Sequence, residues 1–295
     1  MPELPEVETI VRDLNKKVLN RAFIDAWTDV KKLIKKPSSF EEFKKQIRNK
    51  KIKKIWRRGK NILFDLSDDY SLLIHQKLTG HLLIGKWRIG TTGYPGKWQP
   101  LLRGPLEEPV NRYIHLMFWL NDSSMLALSD LRKFAKVELW RGDELKNSEE
   151  FKSLGPEPLE KDFTFKRFED VLKDKKGKIK QILMDQNVIA GIGNIYSDEI
   201  LWEAKIHPFQ SISELNKREL EKVYRAVKKI LEKAIKLRGT SISDFRDLQG
   251  KAGFYIKARK VYQREGEKCS RCGTTIKRIK MGGRSAHFCP RCQVI

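Results

Sequence analysis

Cysteine is absent from the first 268 residues of this 295-residue chain; all four cysteines come after that point. A disulfide framework is therefore not expected, and a reducing cytoplasm is the natural setting. Long apolar runs are missing too. The longest, over residues 114–120, has seven residues and includes His115, whereas a membrane-spanning helix needs about 20. No membrane insertion is expected. The opening MPELPEVE is acidic and lacks an apolar core, so no secretory signal peptide is read there. Acidic residues are scarce in two zones. Residues 31–60 hold 14 basic side chains against 2 acidic ones, and residues 251–295 hold 12 against 2.

Over the whole chain 61 Lys and Arg face 38 Asp and Glu, a formal charge of +23. Self-repulsion on this scale weakens a compact fold, and a polyanion partner is the simplest account of it. Two basic zones far apart in sequence suit the two jaws of one electrostatic groove. A Lys-rich solvated surface explains the charge equally well. Hydrophobic residues at 40% and charged ones at 34% fit a globular protein, and the length suggests about two domains.

Patterning divides the chain likewise. Val7, Ile10, Val11, Leu14 and Val18 recur at helical spacing behind Pro5, with Glu6 and Glu8 at the positive end of the helix dipole. Alternation predicts strands over 52–57 and 62–66 around a turn at Arg58-Gly59-Lys60-Asn61, then over 71–75, 113–120, 125–128 and 136–140, with a helix over 40–47. This half reads as an antiparallel β domain edged by helices. Gly155-Pro156-Glu157-Pro158 marks a break. Beyond it, helices are predicted over 178–184 and 195–205 with a glycine-containing turn between them. A long amphipathic helix through Leu220, Val227 and Ala234 then stops at Arg238-Gly239. Residues 240–252 read as a loop of the length that is usually functional or disordered.

Cys269-Ser270-Arg271-Cys272 and Cys289-Pro290-Arg291-Cys292 are two CxxC knuckles 16 residues apart, the spacing of a four-cysteine zinc site. Four thiolates close a tetrahedron and leave no position for a substrate water, so one structural Zn2+ is expected, holding a hairpin with little core of its own. Met281-Gly282-Gly283 would form its tip, with Arg284 beside it among Lys277, Arg278 and Lys280. A ribbon that only stabilises the fold is the alternative.

Several separate motifs, in order, resemble the bacterial formamidopyrimidine-DNA glycosylase family of base-excision enzymes. They are the start MPELPEVE, Asp130-Leu131-Arg132-Lys133-Phe134, Asp185-Gln186 through Ala190-Gly191-Ile192-Gly193-Asn194-Ile195-Tyr196, the loop 239–255, and the four cysteines with Arg284. The resemblance implies an α+β protein. Its N-terminal antiparallel β-sandwich is flanked by helices and carries catalysis over 1–143, with a linker at 144–158. A helical helix-two-turn-helix DNA-binding domain with a lesion-capping loop spans 159–256, and a four-cysteine zinc-finger hairpin spans 257–295.

The implied chemistry starts at Pro2, which removal of Met1 would expose as a secondary amine. An α-amino group titrates near about 8, against about 10.4 for a Lys side chain, so more of it is neutral and nucleophilic at physiological pH. It attacks the sugar C1′, displaces the damaged base and forms an iminium that acidifies the C2′ proton. By resemblance Glu3 is the general acid for the ring oxygen, Glu6 a supporting carboxylate, Lys60 a catalytic phosphate contact that assists elimination, and Arg284 a catalytic residue carried by the zinc finger. Helix capping explains Glu3, Glu6 and Glu8 without any catalysis. Extruding a base leaves a void, and Leu78, Arg132 and Phe134 align with the residues that fill it. Lys77 and Leu78 replace a Gly and a Met of the family pattern, and Asn111-Arg112-Tyr113 stands where many relatives carry a His-containing segment. Asn194 is expected to cap a helix and hold a phosphate; Lys175 and Lys180 align with residues that track the DNA backbone. Six phosphate contacts would give a log–log salt slope of about −5.

The function so implied is a monomeric, bifunctional glycosylase and abasic-site lyase. It would excise 8-oxoguanine and formamidopyrimidines from double-stranded DNA in the cytoplasm and nick the strand by β,δ-elimination. Alternatives are an endonuclease VIII-like enzyme for oxidised pyrimidines, a catalytically silent DNA-binding protein, and an RNA-binding ribbon protein. Leu4-Pro5-Glu6-Val7 and the segment 250–254 favour the purine enzyme.

Overall fold

Pro5 in the first turn, with Glu3 as the N-cap, sets the start of α1 (Leu4–Lys17) in a computed structural model that describes residues 1–91, 96–242 and 244–295. Val7, Ile10, Val11 and Leu14 form its buried stripe. The chain continues through β1 (Phe23–Thr28), β2 (Ile34–Lys36), α2 (Phe40–Ile47), β3 (Ile52–Arg58), β4 (Asn61–Leu66) and β5 (Tyr70–His75). Then come β6 (His81–Gly85), β7 (Trp87–Ile89), β8 (Trp98–Pro100), β9 (Ile114–Leu120), β10 (Met125–Ser129) and β11 (Lys136–Arg141). Two short helices, α3 (Glu144–Asn147) and α4 (Glu149–Lys152), occupy the start of the stretch read from sequence as a linker. Leu145 of α3 packs against Leu63 and Leu73.

The strands build two sheets, ordered β1-β9-β10-β6 and β2-β11-β5-β4-β3. Every pairing within them is antiparallel except β2 with β11, where the edge strand runs parallel. The inner faces meet in one core: Phe23, Leu116, Phe118 and Leu126 from the first sheet, Ile62, Phe64, Leu72 and Val137 from the second, sealed by α1 and by Phe43 of α2. The outer face of β9 and β10 is covered as well. Met117, Met125 and Ala127 pack with Leu83 and Trp87, and the β7–β8 hairpin supplies the cover.

Met1–Lys152 and Arg238–Phe254 make this first compact unit. The sequence grouped residues 238–254 with the helices before them; the structure draws them onto the sandwich. Phe245 and Leu248 enter its core, Ile84 N–H donates to Leu248 O at 2.8 Å, and Arg238 pairs with Asp13 of α1 and with Asp247. Of the loop 240–252, Ser243 lies outside the described residues.

Ser153–Leu237 and Tyr255–Ile295 form the second unit. Its helices are α5 (Phe165–Leu172), α6 (Ile179–Met184), α7 (Asn194–Ala204) and α8 (Lys217–Lys236). Asn216 caps α8, accepting from Glu219 N–H at 3.1 Å. The turn between α6 and α7 is held by one side chain. Gln186 donates to the carbonyls of Met184 and Ile192 and accepts from Gly191 N–H. Gly191 there has φ +94°, a conformation costly for any residue with a Cβ. The last element is the hairpin of β12 (Lys277–Met281) and β13 (Arg284–Phe288), turned by Gly282-Gly283, both at positive φ as a two-residue turn requires. Among the described residues no helix is long and apolar enough to cross a membrane.

Candidate active site and nucleic-acid interface

The N-terminal residues are fixed by a carboxylate. Glu3 and Glu6 are 2% and 1% exposed. Glu6 Oε2 accepts from Glu3 N–H at 2.8 Å, and its Oε1 accepts from Thr240 N–H at 2.7 Å. One side chain thus ties the segment bearing Pro2 and Glu3 to the beginning of the loop that follows α8. Close packing demands a glycine beside it: a Cβ on Gly239, at φ +75°, would lie 2.7 Å from Glu6 Oε1.

Glu8, two residues later, engages Arg12 and Arg57 at 2.8 and 3.1 Å. Burial raises its pKa, but the two guanidinium groups outweigh it and hold the carboxyl below its ordinary value. Arg57 also donates to Gly59 O at 3.0 Å, so the β3–β4 turn is pinned to α1. Lys60 sits on that turn and is only 8% exposed. Its ammonium is therefore not that of a solvated turn lysine. His75 stands opposite Asn61 across the β4–β5 ladder. Desolvation, then the charges of Lys77, Lys60 and Lys136, push its pKa down to about 3.

The segment after β10 is a scaffolded loop. Asp130, fully buried, accepts from the N–H groups of Phe134 and Ala135 at 2.7 and 2.8 Å and from the Thr79 hydroxyl. Thr79 Oγ accepts in turn from Arg132 N–H at 3.0 Å. The backbone is held from below, and the side chains project. Phe134 is 48% exposed, with the Arg132 guanidinium 4.8 Å from its ring centroid. Phe134 is therefore not core. Leu78 is half-buried one residue before Thr79, and Lys77 beside it adopts φ +54°. Asn111 is structural: it bonds His81 Nε2 at 2.9 Å and donates to Pro105 O at 2.7 Å.

In the second unit Asn194 and Arg284 line one polar cavity of about 850 Å³ together with Arg278 and Lys280. The expected cap is not made by Asn194. Gly193 is the N-cap and Asn194 is the first helical residue, because the helix begins one residue earlier than the sequence pattern placed it. Its Oδ1 is buried with no hydrogen-bond partner among the described residues. Lys175 is exposed. Lys180 must be corrected. It is fully buried, pairs with Asp198 at 2.5 Å and donates to Ser285 O at 2.8 Å. A group so enclosed pins α6 to α7 and to β13, and does not track a DNA backbone.

Sequence reasoning missed the carboxylates of α7. Asp198 also accepts from His287 N–H at 3.0 Å. Glu199 accepts from the N–H groups of Lys260, Val261 and Tyr262 at 2.7 to 2.9 Å. Burial raises the Glu199 pKa, and those three donors counter it. Acidic pairs inside an otherwise apolar helix were the available signal, since such groups are buried only with partners. Next to this anchor the Sγ atoms of Cys269, Cys272, Cys289 and Cys292 lie within 4.8 Å of one another, with Trp202, Val261 and Ile276 around them. Tetrahedral zinc with thiolates at about 2.3 Å needs sulfurs about 3.8 Å apart. The four cysteines fit one structural zinc.

Family comparison agrees along the chain. The formamidopyrimidine-DNA glycosylase N-terminal domain matches residues 1–137, the formamidopyrimidine-DNA glycosylase H2TH domain residues 154–246, and the zinc finger found in FPG and IleRS residues 266–294. The formamidopyrimidine-DNA glycosylase of Pelotomaculum thermopropionicum is 39% identical over all of both chains. The chain belongs to the formamidopyrimidine-DNA glycosylase family. That of Lactococcus lactis subsp. cremoris is 37% identical over 99% of each chain. Among solved members, a complex of Lactococcus lactis Fpg with abasic-site DNA has a TM-score of 0.85 at 36% identity, covering 99% of this chain and 100% of that one. MutM bound to DNA with carbocyclic 8-oxo-G has a TM-score of 0.84 at 36% identity, covering both chains fully.

Proposed function

We propose that this formamidopyrimidine-DNA glycosylase family member is a bifunctional glycosylase and abasic-site lyase, excising oxidised purines from duplex DNA in base excision repair. The observation that carries this is the carboxylate tie of Glu6. It immobilises Pro2 and Glu3 at the start of α1 and fastens the loop from Thr240 beside them, so that a nucleophile, an acid and a capping segment share one anchor. The named relatives act on formamidopyrimidine lesions, and the solved ones hold abasic-site or 8-oxoguanine DNA.

Once Met1 is removed, the Pro2 nitrogen attacks C1′ and the damaged base departs. Glu3 protonates the ring oxygen, giving an iminium between Pro2 and the opened sugar. Loss of the C2′ proton then expels the 3′ phosphate, and a second elimination expels the 5′ phosphate. Lys60, screened from solvent on its hairpin turn, holds the phosphate beside the lesion and assists elimination. Arg132 and Phe134, with Leu78, occupy the void left by the extruded nucleotide. In the second unit the Arg284 guanidinium and Asn194 at the α7 N-terminus take backbone phosphates, with Lys175 as a peripheral contact. Zinc, when bound, supplies no chemistry; it holds the hairpin that presents Arg284. The setting is the cytoplasm, where the protein works as a DNA-bound monomer.

End-labelled duplexes carrying 8-oxoguanine or an oxidised pyrimidine test this. Nicking at the purine lesion, leaving phosphate on both sides of the gap, is expected. Preferential nicking at the pyrimidine would place the activity with endonuclease VIII-like enzymes, and retention of either duplex without nicking would make the protein a binder.

A further inference from the structure

The loop that follows α8 begins with two left-handed residues in a row, Arg238 at φ +61° and Gly239 at φ +75°. Gly239 is demanded by Glu6 beside it. Arg238 has no such neighbour to answer for it, and a glycine would adopt this backbone freely where a Cβ disfavours it. A residue held against that preference points to work done by its side chain.

The guanidinium spans two carboxylates. Nη2 donates to Asp13 Oδ2 on α1 at 2.5 Å and to Asp247 Oδ2 at 2.7 Å, while Nη1 reaches Asp13 Oδ1 at 3.3 Å and Nε reaches Asp247 Oδ2 at 3.2 Å. A planar fork can hold both partners at once, which a point cation on a flexible stem cannot. Asp247 is the hub of the loop's second half. It is 2% exposed, and its Oδ1 accepts from the N–H groups of Gln249 and Lys251, both at 2.9 Å. The backbone closes the same turn, with Asp247 N–H donating to Lys251 O at 2.8 Å and Gly250 N–H to Asp247 O at 2.9 Å. One side chain therefore joins the start of the loop to its far turn. It fastens both to α1, the helix that carries Pro2 and Glu3 at its beginning.

All of these bonds lie within the first unit and are made by the chain itself. We propose that Arg238 is a positioning residue that presets the lesion-capping loop against α1 before DNA arrives. The extruded base then meets a loop already shaped, and none of the binding energy is consumed in ordering it. In this role Arg238 touches neither base nor sugar. The inference rests on the DNA-repair function proposed above.

The test uses the full chain and two duplexes, one carrying 8-oxoguanine and one an abasic site, which has no base to cap. Arg238→Gly deletes the guanidinium while relaxing the backbone; Asp13→Asn weakens the same bridge from α1 and leaves the loop's sequence intact. KM for nicking at 8-oxoguanine should rise by about fivefold or more in Arg238→Gly, and by less in Asp13→Asn, with kcat held within about twofold. Nicking of the abasic duplex should stay within about twofold of wild type. Amide exchange in the free protein should quicken over residues 245–254 of Arg238→Gly and keep its wild-type rate in β4 and β5. An unchanged KM at 8-oxoguanine, or unchanged exchange in that loop, would overturn the proposal. Equal losses on the two duplexes would overturn it too, since they would make the bridge a matter of overall stability. A wild type that nicks both duplexes, matched by both variants, sinks only this inference, whereas a wild type that nicks neither sinks the repair function with it.

Discussion

Glu6 spends both carboxylate oxygens on backbone N–H groups, one from Glu3 and one from Thr240, which leaves it a positioning role rather than a share in proton transfer. His75 offers a sharper quantity. Desolvation and the cations Lys77, Lys60 and Lys136 push its pKa down to about 3, whereas an unfolded chain protonates histidine near about 6.5. Between those values the unfolded state binds a proton that the folded state refuses. Stability is therefore full above about pH 6.5 and is lost as pH falls toward 3. His75→Gln should remove on the order of 3 kcal/mol of the loss seen between about pH 7 and pH 4, measured by urea unfolding at each pH; parallel losses in variant and wild type would contradict it. The placement of Pro2 and Glu3 at the start of α1 was legible because a terminal motif carries them. Lys180 was not, because nothing in a Lys-rich sequence separates a buried ion-pair lysine from a solvated one.

The loop from Arg238 to Phe254 and the α6–α7–β13 junction each hang on few contacts. Gly239→Ala would put a Cβ 2.7 Å from Glu6 in a backbone region that disfavours side chains, costing about 1–3 kcal/mol. The denaturant midpoint should drop, and nicking should fall with it; an unchanged midpoint would show that the Glu6 tie is not built as described. Lys180→Met leaves Asp198 buried without its cation, a loss of about 3–5 kcal/mol, with zinc released faster to a chelator. A DNA-backbone role for Lys180 predicts instead normal zinc retention and a salt slope shallower by about 1. Helical stripes such as those of α1 and α8 were readable because one face is buried and the other wet. The strand β1 was not, since a register shift between Phe23 and Asp25 breaks its alternation, leaving Ile24 exposed while Phe23 and Ala26 are buried. The β7–β8 hairpin escaped for another reason: its strands are three residues each, too short for a period to register.

For the molecule as a whole, a net charge of +23 is the property that reaches furthest from any one contact, and it favours a polyanionic partner through counterion release. The zinc hairpin concentrates part of it, with Lys277, Arg278, Lys280 and Arg284 on five-residue strands closed by four thiolates. Cys289→Ser should lose the metal and weaken duplex affinity while the first unit keeps its fold; zinc content by atomic absorption and affinity across a salt series check this, and unchanged values of both would refute it. The two-unit organisation was visible in the shift from strand to helix patterning, but the membership of 238–254 was not, because it depends on Phe245 and Leu248 finding a core far away in sequence. The decisive trial is borohydride trapping on an 8-oxoguanine duplex, with the adduct mapped by mass spectrometry. A covalent link at Pro2 of a chain that has lost Met1, absent from Pro2→Gly, is the expected result. A link to another residue that persists in correctly processed Pro2→Gly would contradict the assignment of the nucleophile.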